Sequence, residues 1–547
     1  MGRSLESSCF SAFFAYFTCS GFTGIEPEEP GRIRRVKERK EKKGRKRMTD
    51  GTPVTKNLEE NEVWFRSRCE GCSDIKLQPM RLGKDGSVSA LAIYVENTVP
   101  NLILEESVLG RMFIDMAGKD PKEVYQTVEA NSLGLSEAQP LQTREEGMNA
   151  MLAGNLLLLV EGYDKGLKIG SKGYPARSVD NTDTEKVLRG SNEGFTESVK
   201  TNTALIRKRI RSTDMKVEEL TAGVRSNTRL VLVYMKELVY PEVLEQIRRG
   251  IDQFVIDGVL DSGIIEQLTE EDWVSPFPQF QTTERPDLAA MEVLDGRVVL
   301  LCDNSPVALL LPSVFQDFMN VTEDRYNRFE IASFERVIRY AAMIFSFLLS
   351  GTYLAVIGFH TMILPTNLIL SFAESRQGVP FPSLLEVLFM ELAFELIREA
   401  GIRMPGALSG TIGIVGGLII GDAAVSANLV SPMAVVIVAL SALSSFAIPN
   451  EECTSAFRLI KYGFILLGGL LGMYGIVLGL YLLLGHLARL TSFKIPYLMP
   501  FIGKDIAGYQ DERDLLVRAP MRKMRYRPIY TRRPQRVRLR EKEKNEE

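Results

Sequence analysis

Between Arg336 and Leu490 the chain holds four apolar stretches, 337–359, 405–423, 433–449 and 459–485. Each is near the length of about 20 residues needed to cross a hydrocarbon core of about 30 Å. Lipid offers no partner to a bare peptide group, so stretches that enter it must be helices. The rest of the chain is polar, and the whole-chain mean hydropathy of zero averages two unlike halves. A membrane block this short, behind a long polar half, points to a receptor or channel subunit rather than a soluble enzyme.

Basic residues set the orientation. Thirteen Lys/Arg lie between Arg513 and Lys544, against seven acidic residues in 511–547. Arg325, Arg328, Arg336 and Arg339 flank the start of the first stretch. Both flanks should be cytoplasmic, which requires an even number of crossings. A fifth apolar run, Leu384–Ile397, carries Glu386, Glu391 and Glu395. Each charge at a bilayer centre costs roughly 2.5–3.5 kcal/mol on the insertion scale, so the run reads as a re-entrant or interfacial helix. Glu391 and Glu395 are one turn apart and Arg398 follows, giving either a satisfied carboxylate–guanidinium cluster or a cation vestibule or coupling site.

The polar half alternates short apolar runs with helical patterns. Strands are expected at Ala90–Val95, Asn155–Glu161, Arg229–Met235 and Gly296–Cys302. The last joins Val307–Leu311 through Asp303-Asn304-Ser305-Pro306, a hairpin signature. Helices are expected over 198–212, with Arg207, Lys208, Arg209 and Arg211 on its exposed side, and over 241–254, opened by Pro241. No internal repeat is visible. The expected organisation is a disordered basic extension (1–74), then an α/β or α+β cytoplasmic region of two small subdomains (75–330) divided near residues 140–230. An α-helical membrane domain of about four spans plus the re-entrant helix (331–490) and a cytoplasmic basic tail (491–547) follow.

The basic run Arg32–Arg47 reads as solvated, and the apolar stretch 9–23 is too short to span. Met48 is the expected biological start. Cys69 and Cys72 form a lone Cys-x-x-Cys, with no second pair and only two histidines in the chain. That pattern argues for reduced thiols rather than zinc or redox use. The basic tail suits an anionic lipid surface better than nucleic acid, since aromatic residues are sparse in it.

No Walker loop, dinucleotide fingerprint, His-Glu-x-x-His or nucleophile elbow is present, so the chain reads as a non-enzyme with no cofactor. His360 and His486 fall at span ends, as interfacial hydrogen-bonding groups or as gating or proton-carrying ones. Gly413, Gly417 and Gly421 form a small-residue stripe, and Gly468/Gly472 with Gly475/Gly479 form a second. These serve packing within one subunit or between subunits. On the opposite face of the 405–423 helix stand Thr411, Val415, Leu418 and Asp422. A ring of copies packed through glycine would aim these four at a central axis, an apolar constriction beside a carboxylate ring, as a cation pore requires. The other reading leaves Val415 and Leu418 facing lipid and Asp422 at the interface.

Many strings, in one order from about residue 75 to 530, carry a resemblance. The polar half has Glu161-Gly-Tyr-Asp, Arg189-Gly-Ser-Asn-Glu-Gly-Phe-Thr-Glu-Ser, Asn202-Thr-Ala-Leu-Ile-Arg-Lys-Arg, Ser275-Pro-Phe-Pro-Gln and Thr283-Glu-Arg-Pro-Asp287. The apolar half has Val379-Pro-Phe-Pro382, Arg398-Glu-Ala-Gly-Ile-Arg-Met-Pro405, Ile414-Val-Gly-Gly, His486-Leu-Ala-Arg-Leu-Thr-Ser-Phe, Pro496-Tyr-Leu and Arg518-Ala-Pro. Together they resemble the A subunit of the spore-germination nutrient receptors, the GerA family. The resemblance implies an inner spore membrane location, a transporter-like B subunit that binds nutrient, a lipoprotein C subunit, and an A subunit that self-associates into a channel for monovalent cations. The chain departs from the family pattern at Ser350-Gly351-Thr352, at Thr361-Met362, at Lys494-Ile495 and at Asp422. A secondary transporter is the second functional class, opposed by the lack of an inverted repeat. A non-conducting membrane scaffold for germination proteins is the third.

Overall fold

In this computed structural model the residues described are 51–96, 118–129, 138–170, 189–402, 421–501 and 516–539, with Thr98 and Glu185. Residues 1–50 and most of the 405–423 helix lie outside them, so the expectations for the basic run, the apolar N-terminal stretch and most of the pore face fall beyond this description. Val54–Glu547 cluster as one unit.

The polar half contains two five-stranded sheets. The first has strands β1 (Ile75–Leu82), β2 (Val88–Val95), β3 (Ala138–Leu141), β4 (Leu156–Val160) and β5 (Gly166–Ile169), in the order β1-β2-β4-β5-β3. The second has β6 (Met215–Ala222), β7 (Thr228–Met235), β8 (Gln281–Thr283), β9 (Val298–Cys302) and β10 (Ala308–Leu311), in the order β6-β7-β9-β10-β8. Every neighbouring pair in both is antiparallel, which makes the region α+β. Both faces of each sheet are covered. That is why the central strands Leu156–Val160 and Val298–Cys302 are unbroken apolar runs rather than alternating ones. The expected hairpin forms as β9–β10, with Asn304 in the left-handed region at φ 68°.

The two sheets are copies of one design, although the sequence shows no repeat. Helices Leu58–Arg68 and Val199–Arg209 precede them. In the first, the Thr55 N–H donates to Asn61 Oδ1 and Asn61 Nδ2 donates back to the Thr55 carbonyl. Thr196 and Asn202 repeat both bonds in the second. The Leu58 N–H donates to Glu161 Oε2 as Val199 N–H does to Asp303 Oδ1. Gly162 and Asn304, both with positive φ, donate to the carbonyls of Lys56 and Glu197. The same hydrogen-bonding geometry therefore recurs in both subdomains without a visible sequence repeat.

Two expectations are corrected here. Residues 58–68 are a helix with Phe65 fully buried against the first sheet, inside the segment expected as a disordered extension (1–74). Arg207 is not exposed: it is fully buried and holds Asp74 through two bonds, Nε–Oδ2 at 2.7 Å and Nη2–Oδ1 at 2.8 Å. With the backbone bridge of Cys72 to Val217, this pair welds the first subdomain to the edge of the second. Cys69 sits in the first core, where burial and then the Cys72 charge push its thiol up to about 12. A thiol raised in this way is a poor nucleophile.

The apolar half contains helices Phe329–Phe359, Thr366–Ser375, Ser383–Ile402, Pro432–Phe446 and Glu451–Arg489. The first and last are long and apolar enough to cross a membrane. The last is a hairpin. The Phe277 ring lies 5.4 Å from Phe457 and 6.2 Å from His486 by centroids, whereas a straight helix would hold those two residues roughly 43 Å apart. The reversal is at Gly472, with φ 63° and ψ −144°. A Cβ there would fall 2.9 Å from the Phe359 ring. The stretch 459–485, expected as one span, is therefore two antiparallel arms. The expected re-entrant segment Leu384–Ile397 belongs to a 20-residue helix, about 30 Å long.

The tail differs from expectation too. Residues 516–539 are belted onto the second subdomain, with Arg522, Lys523 and Arg525 left exposed. Arg518 donates to the Arg325 carbonyl, Arg527 to that of Leu294 and Arg532 to that of Val239, and Arg538 pairs with Asp295 at 3.0 Å. Tyr530 donates to Asp317 and lies under the Arg297 guanidinium, 5.0 Å from its ring centre.

Candidate functional site

The apolar helices gather a column of charge between them, buried at Glu386, Glu391 and Lys461 and half-buried at Glu395, Arg398 and Arg458. Its centre is Lys461, midway along the first hairpin arm and 4% exposed, whose Nζ lies 2.5 Å from Glu391 Oε2. Ser350 Oγ donates to the other Glu391 oxygen at 2.6 Å. One turn along, Glu395 accepts from Arg458 Nη1 at 2.5 Å. Arg398 turns away from both carboxylates: it donates to Ser445 Oγ and lies 4.4 Å from the centre of the Phe446 ring. Glu391, Glu395 and Arg398, expected to meet on their own helix, instead find their partners on three other helices. Glu386, at the other end of its helix, accepts from the Ser431 N–H at 2.5 Å and from its hydroxyl.

Glycine brings these charges together. A Cβ on Gly468 would run into the Gly351 carbonyl, and one on Gly351 would lie 2.5 Å from the Phe464 carbonyl. At this crossing the Phe329–Phe359 helix and the hairpin touch backbone to backbone, the role small residues play in helix packing. Gly475 closes on the Leu467 carbonyl and Gly479 on the Phe464 ring, so the second glycine set lies within one chain. Ser350 and Gly351 are the two residues that make the charge contact and the close approach. Of the four residues expected on the pore face, Asp422 is exposed; Gly421, from the expected glycine stripe, would carry a Cβ 3.6 Å from Val435. Thr411, Gly413, Val415, Gly417 and Leu418 lie outside the described residues.

A second junction ties this column to the sheets. Ser275 Oγ lies 2.9 Å from His486 Nε2, and the Phe277 N–H donates to the same hydroxyl. Phe277, Phe315 and Phe318 from the polar half, with Tyr497 from beyond the last helix, share one core with Tyr340, Phe347, Phe457 and Leu487 of the long helices. Below it, Asp324 accepts from Arg336 Nε at 2.8 Å and from Arg339 Nη1 at 3.1 Å, all three buried. Two of the four arginines expected as a charged flank are therefore internal ion pairs, and Arg325 is engaged by Glu292 and Asp295. Glu266, in the helix Ser262–Thr269, faces Glu452 at the hairpin's foot. Burial, then the Glu452, Glu270 and Asp261 charges, push its carboxyl up to about 8. His360 is exposed at the far end, with Nδ1 3.4 Å from the Ala355 carbonyl.

The junction of Ser275 with His486 joins two of the strings that carried the resemblance. The family model described as Bacillus/Clostridium GerA spore germination protein matches residues 64–530. The chain belongs to the GerA spore germination family. It is 34% identical to spore germination protein KA of Bacillus subtilis (strain 168), over 84% of each chain. To spore germination protein B1 of the same organism it is 32% identical, over 87% of this chain and 97% of the relative. A third relative there, the uncharacterized membrane protein YfkQ, is 36% identical over 87% and 91%. The solved N-terminal domain of the A subunit of the Bacillus megaterium spore germinant receptor GerK3 covers 49% of this chain and 99% of its own, at 25% identity and a TM-score of 0.38.

Sequence reasoning placed Glu391, Glu395 and His486 but missed Lys461, Arg458, Ser350 and Ser275. Lys461 and Arg458 were visible as the charges in the opening turns of an otherwise apolar stretch. Ser275 carried no such signal, since nothing in the sequence brings it to a residue more than two hundred positions away.

Proposed function

We propose that this chain is the membrane subunit of a spore-germination nutrient receptor and forms an oligomeric, ligand-gated channel for monovalent cations. Nutrient binds a transporter-like B partner, a lipoprotein C subunit completes the receptor, and both termini lie in the cytoplasm. The observation that carries this reading is the shared core of Phe277, Phe457 and His486, through which a displacement of the sheet domain must act on the hairpin. Packed cores are bistable rather than continuously deformable, so such a joint can transmit a switch.

The levels of the described contacts support six crossings rather than four. Leu384 meets Gly469 at the end of the bundle where Phe359 meets Gly472, and Arg398 meets Ser445 at the other. Ile402 and Gly421 then fall at opposite ends of the bundle. An even count keeps the termini on one side. The pore is assigned to the helix bearing Thr411, Val415, Leu418 and Asp422, and lipid contact to the exposed Arg522, Lys523 and Arg525 of the tail.

Cation flux through the purified chain in liposomes tests the proposal. Leu418→Ala should release ions without nutrient. Normal dormancy of spores carrying that variant would remove the pore assignment. An assembled ring that conducts nothing would make the chain a scaffold, and saturable, counter-ion-coupled uptake would make it a transporter.

A further inference from the structure

Trp273 is 80% exposed and Val274 is 70% exposed, side by side in a loop of the second subdomain. A tryptophan on the open surface is ordinarily a cost, because its large apolar face stays in water. This one is not on a loose tip. The Ser275 N–H and Gln279 Nε2 both donate to the Asp272 carbonyl, and Gln279 Oε1 accepts from the Glu271 N–H, so the loop is braced on both sides. Its next residue, Ser275, is bonded to His486. Thr491, just past the helix end, donates to Glu271. The loop is thus fixed at the depth of the last turn of the second hairpin arm. The outward apolar side chains of that arm, Tyr481, Leu482 and Leu484, run down to the same level.

We propose that Trp273 and Val274 insert into the headgroup region of the bilayer and pin the second subdomain to the membrane surface. The inference rests on the reading that the hairpin lies in a membrane. The chemistry selects the interface and not the hydrocarbon: an indole has an apolar body and one N–H donor, and it favours the boundary where one end is dry and the other wet. It also selects a zwitterionic surface over an anionic one, because Glu270, Glu271 and Asp272 precede the tryptophan. Binding of the loop should therefore need no acidic lipid and be insensitive to salt. The consequence is mechanical. The loop that touches His486 is held to the lipid on one side and to the hairpin on the other, so the sheet domain pivots about this point.

The chain has two tryptophans, which makes the test direct. Trp64 is partly buried in the first subdomain, edge-on to Phe65 and beneath Arg68. In full-length Trp64→Phe reconstituted into phosphatidylcholine vesicles, Trp273 is the sole reporter. Lipids brominated near the headgroup should quench it at least roughly twofold more than lipids brominated near the bilayer centre. If Trp64→Phe fails to fold, the wild-type chain is compared with Trp273→Phe, which should lose the bromine-quenched component. A control chain, Leu466→Trp with both native tryptophans changed to Phe, should be quenched by the deep bromines. Quenching of the control without quenching of Trp273, or equal quenching of Trp273 at both depths, overturns this inference alone. An unquenched control overturns the membrane reading on which it rests.

Discussion

Lys461 and Glu391 form an ion pair at 2.5 Å in which both side chains are almost wholly removed from the surface. Their helices are joined at that level by Ser350. Desolvating two charges costs several kcal/mol per ion, so the pair persists only because each partner is fully met. Lys461→Met strands the carboxylate and should cost roughly 3–5 kcal/mol, read as a large drop in apparent Tm in detergent. Adding Glu391→Leu to that variant should restore most of the loss. If the double variant is no more stable than the single one, Lys461 and Glu391 do not act as a pair.

Gly472 has two reasons to be glycine. Its φ of 63° with ψ of −144° lies near a region that is essentially reserved for glycine, where another residue is strained by roughly 1–3 kcal/mol. Its missing Cβ also makes room for the Phe359 ring. Gly472→Ala should lower apparent Tm measurably, and Phe359→Ala in the same chain should recover only the steric part. Full recovery would show that the backbone strain is negligible.

The duplicated asparagines allow a matched experiment. Asn61→Ala and Asn202→Ala each leave a buried Thr–Asn exchange of hydrogen bonds broken. Each should cost about 1–3 kcal/mol. Amide hydrogen exchange should report lost protection in helix Leu58–Arg68 for the first variant and in Val199–Arg209 for the second. Equal deprotection of both helices by either variant would show that the two subdomains open as one.

Glu266 gives the junction a pH dependence with a defined sign. Its carboxyl is raised from an ordinary 4.5 to about 8 by burial and by neighbouring acids. The folded state therefore holds a proton that the unfolded state releases. The stability from that proton is complete below about pH 4.5 and is lost as pH rises through about 8. Apparent Tm should fall between about pH 5 and pH 9, and Glu266→Gln should flatten that part of the profile. An unchanged slope in the variant would assign the dependence elsewhere.

Local pattern made several elements legible. Strands β2, β4, β7 and β9 are compact apolar runs between turn residues, and helix 241–252 opens on Pro241 and places Val243, Leu244, Ile247 and Ile251 in the core. Glu391, Glu395 and His486 stood out because charge or imidazole beside apolar sequence needs a partner. The partners were not legible. Glu395 and Arg398 are three residues apart and could meet on one helix face, yet each found a better neighbour across a helix gap. The duplication was hidden for a related reason. Its signature is a set of contacts between residues far apart in sequence, such as Leu58 with Glu161 and Val199 with Asp303.

The sequence by itself determined the division into a polar, sheet-bearing half and an apolar, helical one, because hydropathy and periodicity are local and follow from which side chains water rejects. It also determined the family, through strings in a fixed order. Only the tertiary structure decided that one long apolar stretch reverses at Gly472, that Arg207, Arg336 and Arg339 are interior ion pairs, and that Ser275 meets His486. Those outcomes depend on which surfaces arrive together once the chain has folded, and a charge or a glycine takes its meaning from the atoms that surround it there.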